Sequence, residues 1–224
     1  MSDLATLTDP QSQVAEAYRS LRTNLAFARP GQPLRSLLVA APAVAEADDA
    51  ALTLANLAVV AAQAGQRVVV VDADLRRPRQ HALFGLPNDD GLSTALVAGP
   101  AQAGSPVQNT SVERLGVITS GPLPPNPAEL LGSPGMAALL DRLAADHDLV
   151  LVGAPPVGAV TDAAVLAPRL DGVLLVLAAG RSRRDQAQRA RAVLDQVGAA
   201  VVGIALTDVA PDAAGYTHYG AERS

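Results

Sequence analysis

Apolar positions along the chain come in two textures. Six short runs are apolar almost throughout, at 36–41, 68–71, 115–119, 149–153, 172–178 and 200–206. Between them lie stretches whose apolar residues recur every three or four positions, at 50–64, 91–98, 134–145, 161–169 and 183–197. The first texture predicts strands buried on both faces, and the second predicts helices with one apolar stripe. Their alternation predicts an α/β fold of three layers, a mostly parallel sheet with helices on both faces. The unit 36–71 has the length of one right-handed strand–helix–strand crossover. Gly65 is placed to close its helix as a left-handed C′ residue.

A further helix is predicted over 13–28. Val14, Tyr18, Leu21, Leu25 and Ala28 share a stripe there, and Glu16, Arg19 and Arg22 fall near another face. ARPGQP (28–33) breaks the chain after it. GSPVQN and SGPLPPNP read as surface loops. The segment after Asp208, VAPDAAGYTHYGAERS, has no periodicity and reads as a flexible tail. The expected organisation is an N-terminal helical segment (1–30), one α/β domain (31–207) and a tail (208–224).

Composition narrows the chemistry. Cysteine is absent from the 224 residues, which excludes disulfides, thiolate metal sites and a cysteine nucleophile. His81, His147 and His218 are far apart, lack metal-ligand spacing and read as ordinary surface histidines. A net charge of −5 gives no electrostatic footprint for nucleic acid. No run approaches the roughly 20 apolar residues of a membrane-spanning helix. The opening MSDLATLTDPQSQ lacks the basic and apolar regions of a secretion signal, so a cytoplasmic location is expected. All 17 basic residues are arginine, so a mechanism that needs a lysine is excluded within the chain.

In an open parallel sheet, ligands bind beyond the carboxyl ends of the strands. Segments 42–50, 72–77 and 153–157 are expected to converge there. The run VVVVDADLRRP puts Asp72 and Asp74 at a strand end, where hard carboxylate oxygens suit Mg²⁺ and its waters. The plainer alternative has Asp74 capping the next helix and Asp72 solvated. AAPAVAEADDAAL (40–52) stands where a phosphate-binding loop would, yet it has no glycine and no lysine and carries Glu46, Asp48 and Asp49. The runs RRPR (76–79) and RSRR (181–184) read as solvated helix starts, with Arg77 or Arg79 available to a phosphate.

Several stretches occurring in one order carry a resemblance: EAYRSLRTNLAF (16–27), NLAVVAAQAGQRVVVVDADLRRP (56–78), LPNDDGLSTALVAG (86–99), SGPLPPNPAELLGSP (120–134) and PPVGAVTDAAVLAPRLDGVLLVLAAG (155–180). From about residue 14 to 206 the chain resembles the cytoplasmic domain of the bacterial tyrosine kinases of capsule and exopolysaccharide systems. These are P-loop proteins related to the partitioning ATPases. The resemblance implies ATP and Mg²⁺ as family cofactors and phosphoryl transfer to tyrosine. It also implies ring-like subunit contacts through Glu16, Arg19 and Arg22, and phosphoacceptor tyrosines in the tail, here Tyr216 and Tyr219. A membrane-spanning chain-length or export component is the implied partner.

The same resemblance exposes departures. The family's phosphate loop reads approximately SPxPGEGKSTT, and here the segment is APAVAEADDAALT. Both glycines, the lysine and the Mg²⁺-holding hydroxyl are missing, and Ala45, Glu46, Ala47, Asp48, Asp49, Ala50 and Ala51 occupy the region. The family's strand end Asp-Thr-Pro-Pro is replaced by Gly153, Ala154, Pro155 and Pro156. Of three active-site motifs, that of Asp72 and Asp74 survives.

A helix N-terminus attracts anions. Asp48 or Asp49 is expected to act as N-cap of the following helix, worth about 1 kcal/mol, and so to fill the phosphate site from within. The leading expectation is a catalytically degenerate kinase, a pseudokinase without a cofactor. It would oligomerise, alone or with a kinase paralogue, and sit at the inner face of the cell membrane through its partner, with no role for nucleic acid. Two alternatives stand beside it. One is an active kinase that phosphorylates its own Tyr216 and Tyr219, with Asp72 and Asp74 as catalytic and metal residues. The other is a partitioning-type ATPase.

Overall fold

A computed structural model describes residues 4–29, 31–99 and 106–210. His218, Tyr216 and Tyr219 lie outside the described residues. Two helices, α1 (Ala5–Thr8) and α2 (Gln13–Ala26), precede strand β1 (Ser36–Ala40). Then come α3 (Ala47–Gln63), β2 (Val68–Asp72), α4 (Gln80–Phe84), α5 (Leu92–Ala98), β3 (Gln108–Asn109) and β4 (Leu115–Ile118). The second half runs α6 (Pro127–Gly132), α7 (Pro134–Asp146), β5 (Leu149–Gly153), α8 (Asp162–Leu166), β6 (Gly172–Ala178), α9 (Arg184–Gln196) and β7 (Val201–Thr207).

The strands form one sheet in the order β3-β4-β2-β5-β1-β6-β7, parallel except for the short edge strand β3. Period-two alternation divides each central strand between two cores. Leu38, Ala40, Val69 and Val71 face the layer of α5 to α9. Leu37, Val39, Val68 and Val70 face the layer of α1 to α3. Both faces are therefore apolar, which is why the strands read as unbroken hydrophobic runs. Helix α3 carries eleven buried residues and lies across the sheet centre. Its C-terminus closes with a Schellman pair, Gly65 N–H to Ala62 O and Gln66 N–H to Ala61 O, with Gly65 at φ +92° as expected.

The structure adds and adjusts elements. α1, α4, α6 and β3 are too short to show a period in the sequence. The helix expected over 161–169 divides into α8 and a 3₁₀ turn, Ala167–Arg169, with a proline at its start. On α2, Tyr18, Leu21 and Leu25 pack against the core as expected, but Val14 is 51% exposed. Among the described residues no helix is long and apolar enough to cross a membrane.

Candidate functional site

The three expected segments do meet. Past the carboxyl ends of β1, β2 and β5, a small cleft is lined by Ala47, Asp48, Asp72, Arg79, Gln80 and Gly153, among others. Its volume is about 30 Å³, room for roughly two waters.

Asp72 ends β2 and is 2% exposed. The backbone N–H groups of Arg79 and Gln80 donate to its Oδ2 at 3.0 and 2.9 Å, and that of Asp74 donates to Oδ1 at 3.3 Å. Burial pushes its pKa up to about 7, the Gln80 and Arg79 amides pull it down, and the Asp74 charge adds to the rise. The alternative of a solvated Asp72 is thus corrected. Asp74 caps no helix either. Its Oδ1 accepts from the amides of Arg76 and Arg77 at 3.1 and 2.9 Å, holding a local turn. Behind that turn, Arg76 forms a two-pronged pair with Asp162, at 2.9 and 3.1 Å. Asp162 is fully buried at the start of α8.

The loop after β1 departs from expectation. The helix starts at Ala47, three residues earlier than predicted, after a 3₁₀ turn over Val44–Glu46. The N-cap is Glu46, with no side-chain cap bond. Asp48 and Asp49 therefore sit inside the first turn, where they complement the helix dipole without capping it. Arginines claim both carboxylates: Arg79 reaches Asp48 at 2.9 Å, and Arg181 reaches Asp49 at 2.8 Å. Charge-assisted bonds from a guanidinium outcompete a neutral amide for these oxygens.

Arg181 also pairs with Asp208 at 2.6 Å and donates to Ala45 O at 3.2 Å. It thereby staples the loop to the ends of β6 and β7. The RSRR and RRPR runs are therefore not merely solvated: Arg76, Arg79 and Arg181 each tie two distant segments together. Glu46 is fully buried, and Ser182 donates to its Oε1 at 2.9 Å. Its Oε2 has no hydrogen-bond partner among the described residues.

Gly153 ends β5 opposite Asp72. A Cβ there would stand 2.7 Å from Leu54 Cδ2, a core leucine of α3. Ala50 is 5% exposed beneath the loop, and Ala51 O accepts from Gln80 Nε2 at 3.1 Å. The sequence pattern missed Gln80, Arg181, Ser182 and Asp162. Gln80 is 2% exposed, and its Oε1 has no partner among the described residues.

The other expected site residues lie elsewhere. On α2, Glu16 pairs with Arg19 at 3.0 Å, and Arg19 also donates to Pro10 O at 2.6 Å. Arg22 Nε is buried without a partner among the described residues. His81 is half-buried, with Nδ1 unpartnered, and His147 Nδ1 lies 3.0 Å from Leu143 O, so neither is a plain surface histidine.

No family model matches the chain. Individual relatives do. It is 40% identical over 188 residues to the tyrosine-protein kinase YwqD of Bacillus subtilis, covering 84% of this chain and 78% of that protein. It is 32% identical over 205 residues to the tyrosine-protein kinase CpsD of Streptococcus agalactiae, covering 92% and 88%. The chain belongs to the bacterial tyrosine-protein kinases. Its structure overlays on the kinase domain of the Escherichia coli tyrosine kinase ETK with a TM-score of 0.87 at 33% identity, over 97% of this chain and 84% of that one. The cell division ATPase MinD of Pyrococcus furiosus, at 21% identity and a TM-score of 0.64, shares the P-loop-type fold. Within this kinase family, the cleft at Asp72 and Asp74 occupies the strand ends where an open parallel sheet places its ligand.

Proposed function

We propose that this chain is a catalytically degenerate member of its family, acting by binding as a regulatory subunit in the capsule and exopolysaccharide setting. The observation that carries the reading is the loop over 44–49. Where a phosphate loop offers glycine amides and a lysine, this loop offers carboxylates already paired with Arg79 and Arg181. The expected plug is therefore an arginine–aspartate clasp rather than an N-cap. The clasp holds the loop without a ligand and sets a carboxylate against each guanidinium where a phosphate would otherwise lie.

The residues present do not match what Mg·ATP requires. The chain has no lysine. Leu54 stands against the position where the family's third motif carries a carboxylate. Asp72 is buried and bound by backbone amides rather than open to a hydrated ion. Phosphoryl transfer depends on positioning and charge stabilisation, and both are undercut here. The surviving Asp72 and Asp74 support the second reading, an active kinase, and the test must separate the two.

Calorimetry with Mg·ATP and Mg·ADP should give no heat, and about 1 mM nucleotide should leave the thermal midpoint unmoved. Micromolar binding would end this reading. Asp72→Ala in an assay for phosphate on Tyr216 and Tyr219 would then test for the active kinase.

The binding role is assigned to α2, with a kinase paralogue or further copies of the chain as its mates. A membrane-spanning polysaccharide component would hold the assembly at the inner face of the membrane. The Glu16–Arg19 pair is exposed, so its loss should cost only a few tenths of a kcal/mol. Arg19→Ala should accordingly leave the thermal midpoint almost unchanged while light scattering reports a smaller particle. An unchanged mass would remove Arg19 from any interface.

A further inference from the structure

A second, wider groove lies on the other side of the first turns of α3 from the cleft at Asp72. It runs between α2 and the free edge of β7, with a volume of about 570 Å³. Val14, Leu21, Leu52, Ile204, Leu206 and Val209 line it. Three of these are large apolar side chains left open to water: Val14 at 51%, Ile204 at 61% and Leu206 at 56%.

The sheet makes this exposure unusual. Among the described residues β7 pairs with β6 alone, so its outer N–H and C=O groups form an open edge there. Its seven residues, VVGIALT, include no charge and no proline. Edges of that kind template pairing with other chains unless something covers them.

The course of the chain points to the cover. Asp208 follows β7 with φ 55°, in the left-handed region that aspartate tolerates at turns. It turns the chain off the strand, and Val209 then lies in the groove lining. The sequence continues past Ala210 for residues 211–224, PDAAGYTHYGAERS. At about 3.3 Å per residue, half of that length matches β7. The segment holds Tyr216 and Tyr219, two of the three tyrosines in a chain that has only two phenylalanines besides. It thus holds two of the chain's five aromatic side chains, a short way along the sequence from this open apolar groove.

The polar end of the groove fits the same occupant. Asp49 and Asp208 line it, and the single guanidinium of Arg181 is shared between them. One carboxylate charge is left over. Phenol O–H groups donate well to such oxygens, and a phosphate in their place would be repelled.

We infer that the groove between α2 and β7 is the seat of this chain's own residues 211–224, which cover the open edge and shelter Tyr216 and Tyr219. The inference shares the Asp49–Arg181 pair with the proposed function, but its test reads tail cleavage rather than nucleotide binding, so the two fail separately.

Chymotrypsin cleavage after Tyr216 and Tyr219, followed by mass spectrometry on the full chain, tests it. A synthetic peptide of residues 209–224 provides the uncovered reference. Cleavage in the protein should be roughly tenfold slower than in the peptide, because proteolysis follows the open population. Val14→Asp on α2 and Ile204→Asp on β7 should each restore cleavage towards the peptide rate, while Val97→Asp on the opposite face should not. Thermal unfolding confirms that each variant is folded, and Val14→Asp lies outside the sheet should Ile204→Asp disturb it. Equal cleavage in peptide and protein overturns the proposal. So does unchanged tail cleavage with a drop in particle mass for the groove variants, which would assign the groove to a second copy.

Discussion

Between pH 4 and pH 8 the protein is expected to lose stability through Asp72, and Asp72→Asn to abolish that part of the loss. The folded pKa of Asp72 is raised from 3.8 to about 7, chiefly by burial. The native state therefore holds a proton that the unfolded chain has released. Its contribution is fully present below about pH 3.8 and disappears as pH rises through about 7. Three units at 1.36 kcal/mol each set the size at about 4 kcal/mol at most. Asp148 acts in the opposite sense. Arg67 holds its pKa down at about 2, so its contribution is lost only as pH falls below the ordinary carboxylate range. Of the two, Asp72 is the one that acts between about pH 4 and 7.

The Asn side chain keeps an acceptor for the Arg79 and Gln80 amides without the ionisation. Urea unfolding at pH 5 and pH 8 should show wild type losing stability and the variant holding level. Equal pH slopes in the two proteins would mean that Asp72 is ionised throughout, with the amides winning over burial.

The second large effect is expected at Arg76. Its guanidinium is 39% exposed, but the carboxylate that it meets with two hydrogen bonds, Asp162, is fully buried. Removing one partner of such a pair strands the other charge, at a typical cost of 3–5 kcal/mol. The partial exposure of Arg76 places Arg76→Ala near the lower end, at about 3 kcal/mol. For a chain of this size that lowers the thermal midpoint by roughly 6–12 °C. Arg76→Ala combined with Asp162→Asn should recover part of the loss, because the stranded charge is gone. Strict additivity of the two substitutions would show that the pair is not coupled. The effect reaches the candidate site because the Arg76 amide also donates to Asp74. The pair thus anchors the turn that follows β2.

Much of the site was legible in the chain. Asp72 and Asp74 were placed at a strand end by VVVVDADLRRP, and the cleft forms there. The absence of a lysine is a fact of composition. The fate of the loop carboxylates was not legible. An aspartate near a helix start reads locally as a cap, and the local rule fails because Arg79 and Arg181 arrive from other strand ends. Arg181 is 132 residues from Asp49 along the chain, and Arg76 is 86 from Asp162. Nothing in a window of 10 or 20 residues carries such pairings. The burial of Glu46 and Gln80 was hidden for the same reason, since each is covered by elements remote in sequence.

What the sequence determined by itself is the kind of fold and the chemistry it lacks. Unbroken apolar strands between striped helices can hide their surfaces only in a parallel sheet covered on both sides, and that pattern is local, repeated along most of the chain. The tertiary structure decided strand order, and with it everything that depends on which strand ends are neighbours. β5 inserts between β1 and β2, and β6 lies on the other side of β1. That order brings Gly153 beside Asp72, and Arg181 over Asp49. It also leaves β7, with Ile204 and Leu206, at an open edge. Side-chain pairing across a sheet follows from the global arrangement of strands, whereas the strands themselves follow from the alternation of their own residues.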